Sequence, residues 1–211
     1  MSRRGRFITL EGGEGAGKST LLAGLHAHLL QQGVSLVQVR EPGGTPLGEA
    51  IRAIVLDPLH PAIRAESELL LMFASRAQLV RERILPALEA GQWVLCDRYV
   101  DASYAYQGGG RGQPFERIAE LERWACADVT PDLTLLLDLP VSTGRARAAG
   151  RGAADRIEVE ADAFFERVRA VYRERAQAQP QRFRVIDASL PPDAVLTEAI
   201  AATAHLFEAA R

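Results

Sequence analysis

The residues whose chemistry is easiest to name lie near the start of the chain. The segment Gly12-Gly13-Glu14-Gly15-Ala16-Gly17-Lys18-Ser19 fits the pattern G-x-x-x-x-G-K-[ST]. Its glycines let successive backbone N–H groups converge on one phosphate, because glycine tolerates the positive φ angles of a concave loop. A lysine at this position reaches the β and γ phosphates of a nucleotide, and the next hydroxyl can ligate Mg²⁺. The segment, continued by Thr20, predicts a phosphate-binding loop.

The basic residues are almost all arginine: of the 25, only Lys18 is a lysine. That lysine occupies the position of the pattern that requires one, so a chance glycine-rich turn explains it poorly. A regulatory GTPase reads guanine with Asn-Lys-x-Asp, and a partition-type ATPase carries a further signature lysine in its loop. Both need a lysine that is absent here, and a protein kinase carries its lysine on a strand. ATP is therefore the expected donor.

A bound Mg²⁺ also needs a carboxylate, which should follow an apolar strand. Two residues fit: Asp97 after Trp93–Cys96, and Asp138 after Leu133–Leu137. Asp97 is preferred because Arg98 follows it and places a cation where two phosphates would meet. Asp138 has the alternative role of a strand-end carboxylate that caps the next helix.

These residues need a framework, and the chain alternates short apolar runs with longer helical patterns. Strands are predicted over 7–10, 34–39, 93–96, 133–137 and 183–186, and helices over 19–32, 47–56, 65–90, 115–127, 141–149, 161–178 and 193–210. This alternation predicts an α/β fold, in which a parallel sheet carries helices on both faces. The glycine-rich segment 108–112 and the segment 147–156 fit neither pattern and are predicted to be mobile loops.

Length and composition limit the remaining possibilities. The 211 residues are predicted to form one domain over 1–211, and the 47% hydrophobic and 25% charged residues are typical of a globular protein. A net charge of −2 argues against a nucleic-acid binder, which is normally basic. No apolar run approaches the ~18 residues that span a bilayer, and no signal-peptide core follows the basic start. A cytoplasmic protein with no membrane partner is expected.

Four further motifs occur in order along the chain: Arg40-Glu41-Pro42-Gly43-Gly44-Thr45, Asp97-Arg98-Tyr99, the segment YQGGGRG at 106–112, and Asp155-Arg156-Ile157-Glu158. With the phosphate-binding loop they resemble the bacterial thymidylate kinases over about residues 7–189. The resemblance implies transfer of the γ-phosphoryl group from ATP to dTMP, giving dTDP and ADP. It also implies a five-stranded parallel sheet of the P-loop NTPase type, a Mg²⁺ ion, a mobile lid at about 145–160 and a homodimer.

The acceptor phosphate must be held against the γ-phosphate despite their repulsion, and planar, always charged arginines suit this task. Arg98 is assigned as the clamp on that phosphate, whereas Arg40 is either a second clamp or a surface ion pair. The resemblance implies that Glu14 accepts the 3′-hydroxyl of the acceptor; a solvent-facing loop carboxylate is the alternative. It also suggests a cis peptide in the Glu41-Pro42 turn, where a trans turn is the ordinary form.

Base recognition is expected on the helix 68–79 and after Arg98. Arg76 is predicted to donate to O4 of thymine, and Ser103 and Gln107 to satisfy N3 and the neighbouring carbonyl. The family's stacking aromatic usually lies four residues before that arginine, where this chain has Met72 followed by Phe73. Either Phe73 is presented by a small helix shift, or the base packs on the thioether.

Phosphoryl transfer places charge on the equatorial oxygens, which an arginine can stabilise. Some relatives carry that arginine in the phosphate-binding loop, where this chain has Gly15. The lid is therefore expected to supply it, with Arg151 as the first choice and Arg147 as the second.

Two other functions stay open at this point. One is a kinase for another nucleoside or nucleotide, since the methyl group that separates dTMP from dUMP is worth only ~1–3 kcal/mol. The other is an ATP-driven switch that signals to a protein partner. A switch has no use for acceptor-site arginines or for Gln107, so these residues favour a kinase.

Overall fold

A computed structural model of the chain describes residues 4–60, 63–149 and 154–208. In these ranges five parallel strands form one sheet in the order β2-β3-β1-β4-β5, which confirms the predicted α/β fold. The strands are β1 (Phe7–Gly12), β2 (Leu36–Arg40), β3 (Trp93–Asp97), β4 (Leu133–Asp138) and β5 (Phe183–Asp187).

Apart from the short helix that follows β3, which was not predicted, the helices of the described ranges lie near their predicted positions. They are α1 (Lys18–Gln31), α2 (Pro46–Leu56), α3 (Ala65–Leu79), α4 (Leu85–Glu89), α5 (Val100–Ser103), α6 (Phe115–Ala125), α7 (Val141–Ala148), α8 (Asp162–Ala178) and α9 (Pro192–Glu208). None of those helices combines the length and apolar character needed to cross a membrane.

The sheet separates two apolar layers. On β1, Phe7 joins the layer that contains α3 and α8, whereas Ile8 and Leu10 join the layer that contains α1 and α9. The strand is buried on both faces, and its two polar side chains, Thr9 and Glu11, are buried as well and hydrogen-bonded within the core. Leu25 and Leu29 of α1 are fully buried against the sheet, and each contributes about 1.5–3 kcal/mol through burial.

The helix predicted over 65–90 contains a π-helical turn. α3 is regular to Leu79, the turn covers Val80–Ile84, and α4 begins at Leu85. Pro86 follows directly; it cannot donate an N–H group, and its ring crowds the carbonyl four residues earlier. The wider turn accommodates the proline without ending the helix.

The glycine-rich segment 108–112 departs most from the prediction. Val100–Gly110 is helical and widens into a π-helical turn over Tyr104–Gly110. A Cβ atom on Gly108 would lie 2.4 Å from the Phe115 ring, and one on Gly110 would lie 2.4 Å from the Phe164 ring. These glycines serve close packing, so the prediction of a loop here is wrong.

The carboxyl ends of the strands meet at one edge of the sheet. β1 lies between β3 and β4, so the strand order reverses beside it, and open α/β sheets bind ligands at such a crevice. The loop after β1, Arg40 at the end of β2 and Asp97 at the end of β3 therefore lie together.

Candidate functional site

Lys18 begins α1 directly after Gly17, whose φ of 90° turns the loop into the helix. Its Nζ donates to the carbonyl oxygen of Gly12 at 3.1 Å and to that of Gly13 at 2.8 Å. Burial lowers the pKa of Lys18 to about 8, and the Arg98 guanidinium adds to the decrease. A phosphate placed here would favour the charged ammonium, so this lysine is poised to gain a proton when an anion binds.

Gly15 allows α7 to pass against the loop. Its φ is 70°, and a Cβ atom there would lie 1.9 Å from the carbonyl oxygen of Gly144. A Cβ on Gly144 would in turn lie 2.4 Å from the carbonyl oxygen of Glu14. Only glycine fits either position. The loop of this chain therefore has no room for an arginine at Gly15.

The loop forms one wall of a cavity of about 290 Å³ at the carboxyl edge of the sheet. The predicted site residues that line it are Glu14, Gly15, Ala16, Gly17, Lys18, Ser19, Arg40, Glu41, Pro42, Asp97, Arg98 and Gln107. Gly12 and Gly13 line a smaller cavity on the other side of the loop. Thr20, Phe73, Arg76 and Ser103 are not among the lining residues.

Hydrogen bonds made by the Arg98 guanidinium hold this side chain over the phosphate-binding loop. Its Nη1 donates to the carbonyl oxygen of Gly12 at 2.8 Å and to the Tyr172 hydroxyl at 3.3 Å, and its Nη2 donates to Glu14 Oε1 at 2.6 Å. The backbone φ of Arg98 is 68°. This left-handed conformation costs ~1–3 kcal/mol in a non-glycine residue, and such strain is concentrated at functional sites.

Glu14 accepts hydrogen bonds from two side chains that lie beside the loop. Its Oε1 also accepts a hydrogen bond of 2.9 Å from the Tyr106 hydroxyl. The Tyr106 ring lies 4.8 Å from the guanidinium carbon of Arg98, so three side chains form one cluster. The positive charge of Arg98 offsets the negative charge of the Glu14 carboxylate. The sequence includes Tyr106 in a motif but does not identify this contact.

Ser19 and Asp97, the predicted metal residues, face the same cavity. Asp97 Oδ1 is buried and makes no hydrogen bond, and a cation would offset that desolvation. Asp138 instead accepts two hydrogen bonds from Arg169, at 2.7 and 3.0 Å. In the described part of the chain no three His, Cys, Asp or Glu side chains form a metal cluster. Mg²⁺ commonly takes one or two carboxylates together with substrate phosphates, so Asp97 and Ser19 fit it.

Two more arginines line the cavity. Arg40 is 53% exposed and donates to Glu49 at 2.8 Å, so it is an ion pair at the surface as well as a lining residue. Arg52 of α2 was missed from the sequence; its Nη1 donates to the Pro42 carbonyl at 3.1 Å. Burial lowers the pKa of Arg52, and the charge of Arg40 lowers it further. A bound anion would relieve this repulsion. The sequence does place the helix that carries Arg52 directly after the turn that begins at Arg40, and this proximity could have indicated that Arg52 lies near the site.

Arg76 is fully buried rather than exposed to the cavity. It pairs with Glu41, whose Oε2 lies 2.8 Å from Nε and 2.6 Å from Nη2. It also donates to the Ser103 hydroxyl at 3.0 Å and to the Tyr99 carbonyl at 3.1 Å. Breaking such a buried pair typically costs 3–5 kcal/mol. The Glu41–Pro42 peptide is cis, as the resemblance suggests.

The structure separates the two candidates for packing on the base. Met72 lines the cavity. Phe73 is 3% exposed in the core, and its ring centroid lies 4.6 Å from the guanidinium carbon of Arg76. The thioether therefore forms the wall, and the phenyl ring supports the buried arginine.

Gln107 reaches the cavity from the π-helical turn after α5. Its Nε2 donates to Glu68 Oε1 at 2.9 Å, while its own Oε1 is buried and makes no hydrogen bond. An unsatisfied buried acceptor of this kind is uncommon, and it points to a donor supplied by a ligand.

Of the two arginines predicted for the lid, Arg151 lies outside the described residues. Arg147 donates to the carbonyl of Ala188 at 2.7 Å, just after β5, and does not reach the phosphate cavity. Arg156 is buried and pairs with Glu68. The described part of 145–160 is therefore anchored at both ends.

Comparisons with known proteins give a consistent result. The family profile described as thymidylate kinase matches residues 10–199. The thymidylate kinase of Alkalilimnicola ehrlichii is 59% identical over 195 residues, which cover 92% of this chain and 90% of that protein. That of Ectopseudomonas mendocina is 54% identical over 207 residues, covering 98% and 99%. The solved thymidylate kinase from Ehrlichia chaffeensis matches with a TM-score of 0.76 and 31% identity, covering 94% of this chain and 97% of its own.

Proposed function

This chain belongs to the thymidylate kinase family, and from that membership we propose how its residues divide the work of the reaction. The reaction is phosphorylation of dTMP to dTDP, with ATP as the donor used by the family. One observation carries the division of roles: Lys18 of the phosphate-binding loop and Arg98 from the end of β3 line the same cavity. Donor and acceptor phosphates can meet there.

On the donor side, the backbone N–H groups of residues 12–19 surround the β-phosphate. Lys18 exchanges its carbonyl contacts for the β and γ phosphates, and its protonation is completed by their negative charge. Ser19 and Asp97 would hold a Mg²⁺ ion, which neutralises phosphate charge when bound. Thr20 extends the same turn of α1.

On the acceptor side, Arg98 holds the phosphate of dTMP in line with the γ-phosphate. Two unit charges of like sign 4 Å apart repel by about 4 kcal/mol at an effective dielectric constant of 20, so nearby cations are required. Arg40 and Arg52 supply further positive charge at the rim. Glu14, positioned by Arg98 and Tyr106, accepts the 3′-hydroxyl of the sugar.

The base occupies the inner end of the cavity. Met72 packs on its face, and Gln107 Oε1 accepts the N3–H group. Arg76 and Ser103 form a buried donor pair behind this wall, and reading of O4 by Arg76 requires a small opening of that pair. Glu41 and Pro42 shape the turn that closes the side of the cavity, and Phe73 acts through Arg76.

We assign the transition-state arginine to the lid, because Gly15 admits no side chain in the loop. Arg151 is the first choice. Arg147 is the weaker one, since its guanidinium is engaged by a carbonyl group after β5. Because Arg156 is held by Glu68 and by the Val55 carbonyl, movement of the lid at 145–160 would have to hinge ahead of that residue. Such movement would bring a lid arginine to the transferring group and exclude water.

The chain acts as a cytoplasmic homodimer of single-domain subunits, with no nucleic-acid or membrane partner. Support for the dimer comes from the groove between α3 and α6, which is rimmed by Leu70 and Trp124 at 58% and 79% exposure. Large apolar side chains exposed around a groove are typical of protein interfaces. Sedimentation velocity of the protein and of Trp124→Glu tests this: a dimer that becomes a monomer supports it, and a monomeric parent contradicts it.

The experiment that tests the whole assignment is an ADP-release assay with ATP, Mg²⁺ and a panel of nucleoside monophosphates. We expect turnover that depends on dTMP. Equal rates with dTMP, dCMP and dGMP would contradict the base-reading roles, and ADP release without any acceptor would instead indicate an ATPase switch.

A further inference from the structure

A buried carboxylate lies next to the base-reading end of the cavity. Glu68 of α3 is 1% exposed, and three side chains donate to it. Its Oε1 accepts from Gln107 Nε2 at 2.9 Å, and its carboxylate also binds Arg111, at 3.3 Å, and Arg156. Glu68 itself is not among the residues that line the cavity.

The carboxylate is fixed in place by its arginines. Arg156 is 5% exposed and also donates to the Val55 carbonyl at 2.7 Å, so it cannot swing away with the carboxylate. Arg111 is held in turn by Glu160 at 2.5 Å. Burial alone would raise the pKa of Glu68, but the hydrogen bonds and nearby arginines outweigh it and lower the pKa. Glu68 is therefore ionised and can only accept hydrogen bonds.

An ionised partner determines which way round the Gln107 amide lies. The amide has a donor end and an acceptor end. With Nε2 turned to Glu68, the Oε1 atom is the end left for the cavity, and it is the buried atom without a partner. The reverse orientation would place a carbonyl oxygen against a carboxylate and leave that oxygen without a donor, at a cost of about 1–3 kcal/mol.

We propose that Glu68 is a positioning residue that determines base specificity: by fixing the Gln107 amide, it makes the cavity accept a pyrimidine with an N3–H group and reject cytosine. Neutral cytosine has a lone pair at N3, which would face the lone pairs of Gln107 Oε1. Thymine and uracil both carry N3–H, so the residue discriminates against dCMP and not against dUMP. The inference rests on the proposed role of Gln107 in reading the base.

The test is Glu68→Gln, with kcat/KM measured for dTMP, dCMP and dUMP. A glutamine at 68 can donate its own amide N–H to Gln107 Oε1, so the Gln107 amide can turn and offer a donor to cytosine N3. We expect the dCMP/dTMP ratio of kcat/KM to rise about tenfold or more, because discrimination by a buried hydrogen bond is lost. The dUMP/dTMP ratio should stay within about twofold, since both bases lose the same acceptor.

The ratios compare substrates on one preparation, so a loss of folded protein cancels. Glu68→Ala, which frees the amide without adding a polar group, gives an independent second variant. Arg111→Gln is the matched control: it weakens the same cluster without changing what Gln107 faces, so its dCMP/dTMP ratio should equal that of the parent. A similar rise in Arg111→Gln would show that general loosening of the cluster is responsible, and it would overturn the proposal.

Gln107→Leu separates this inference from the function on which it rests. If Gln107→Leu leaves the dCMP/dTMP ratio unchanged, the proposed role of Gln107 fails. If it changes the ratio while Glu68→Gln and Glu68→Ala do not, Gln107 reads the base and Glu68 does not orient it. In the Glu68→Gln/Gln107→Leu double variant the ratio should equal that of Gln107→Leu alone, and any further change would show that Glu68 acts by another route.

Discussion

The titration of Lys18 can be followed directly, because it is the single lysine of the sequence. An amine-acylating reagent has two targets in a protein of this sequence, the side chain of Lys18 and the α-amino group. Acylating Lys18 removes the charge that, in its proposed role, meets the β and γ phosphates. Activity should therefore fall in step with the adduct on Lys18 and be insensitive to the adduct on the α-amino group.

The expected labelling rate of Lys18 follows from its pKa in the site. With an ordinary lysine pKa near 10.4, about 0.4% of the side chains would be neutral at pH 8. Burial and the Arg98 charge lower the pKa of Lys18 to about 8. Roughly half of the side chains are then neutral at pH 8, an increase on the order of a hundredfold in the reactive form. The labelling rate should therefore rise from pH 6 to 8 and level off above pH 9.

Bound nucleotide should reverse the decrease in the pKa of Lys18. Phosphate charge near the ammonium raises its pKa, and the nucleotide also covers Nζ. We expect ATP with Mg²⁺ to suppress labelling of Lys18 and to preserve activity, whereas dTMP alone protects weakly. Intact mass with peptide mapping, at a series of pH values, gives the rate for each amine separately.

Lys18→Arg is the control for both readouts. It leaves one amine to label, and it should lose about a hundredfold or more in turnover, because a planar guanidinium does not fit the space of a compact ammonium. A labelling rate at Lys18 that keeps rising tenfold per pH unit up to pH 10 would refute the shifted pKa. Turnover at the parent level in Lys18→Arg would refute the phosphate-binding role.

Three further outcomes are expected. Arg98→Ala should lower kcat/KM for dTMP by ~10²–10³ with little change in the Kd of ATP, because the lost guanidinium acts on the acceptor phosphate. Steady-state kinetics measure the first quantity and isothermal titration the second. Unchanged dTMP kinetics would exclude the role of Arg98 as the phosphate clamp. Arg151→Ala should depress kcat and spare dTMP binding, whereas the same effect from Arg147→Ala alone would move the lid assignment by one turn. Burial and the Asp101 carboxylate raise the pKa of Glu11 to about 8, while Arg98 and two hydrogen bonds oppose them. Between about pH 4.3 and 8 the folded protein then holds a proton that the unfolded chain lacks, so this group lowers stability as the pH rises. In urea unfolding, the free energy of unfolding of Glu11→Gln should rise relative to that of the parent from pH 5 to 8, by at most about 1.4 kcal/mol per pH unit. A difference between the two proteins that does not change with pH would contradict the raised pKa of Glu11.

Local sequence was enough for several parts of the site. The phosphate-binding loop is made by consecutive residues, so its glycines, Lys18 and Ser19 identify it without knowledge of the fold. Asp97 and Arg98 follow an apolar strand, and strand ends meet at one edge of a parallel sheet. Both residues therefore line the cavity beside the phosphate-binding loop.

Tertiary structure decided what depends on residues far apart in the chain. Gln107 lies 39 residues from Glu68, and Arg76 lies 35 residues from Glu41, so neither contact has a signature in local pattern. Met72 and Phe73 are adjacent in the sequence, and helical periodicity does not say which of the two side chains faces the cavity. Packing decided that, as it decided that the glycines of 108–110 lie in a wide helical turn.

The protonation states of the buried groups could not be predicted from the sequence either. A lysine in a sequence has the pKa of a solvated amine, and a glutamate that of a solvated carboxyl. The shifts at Lys18 and Glu11 arise from burial and from charges brought close by the fold. Residue types and their local order thus identified the phosphate-binding loop and carried the resemblance to a kinase family. The fold decided protonation and hydrogen-bond direction, because both depend on the distance and burial of groups that are remote along the chain.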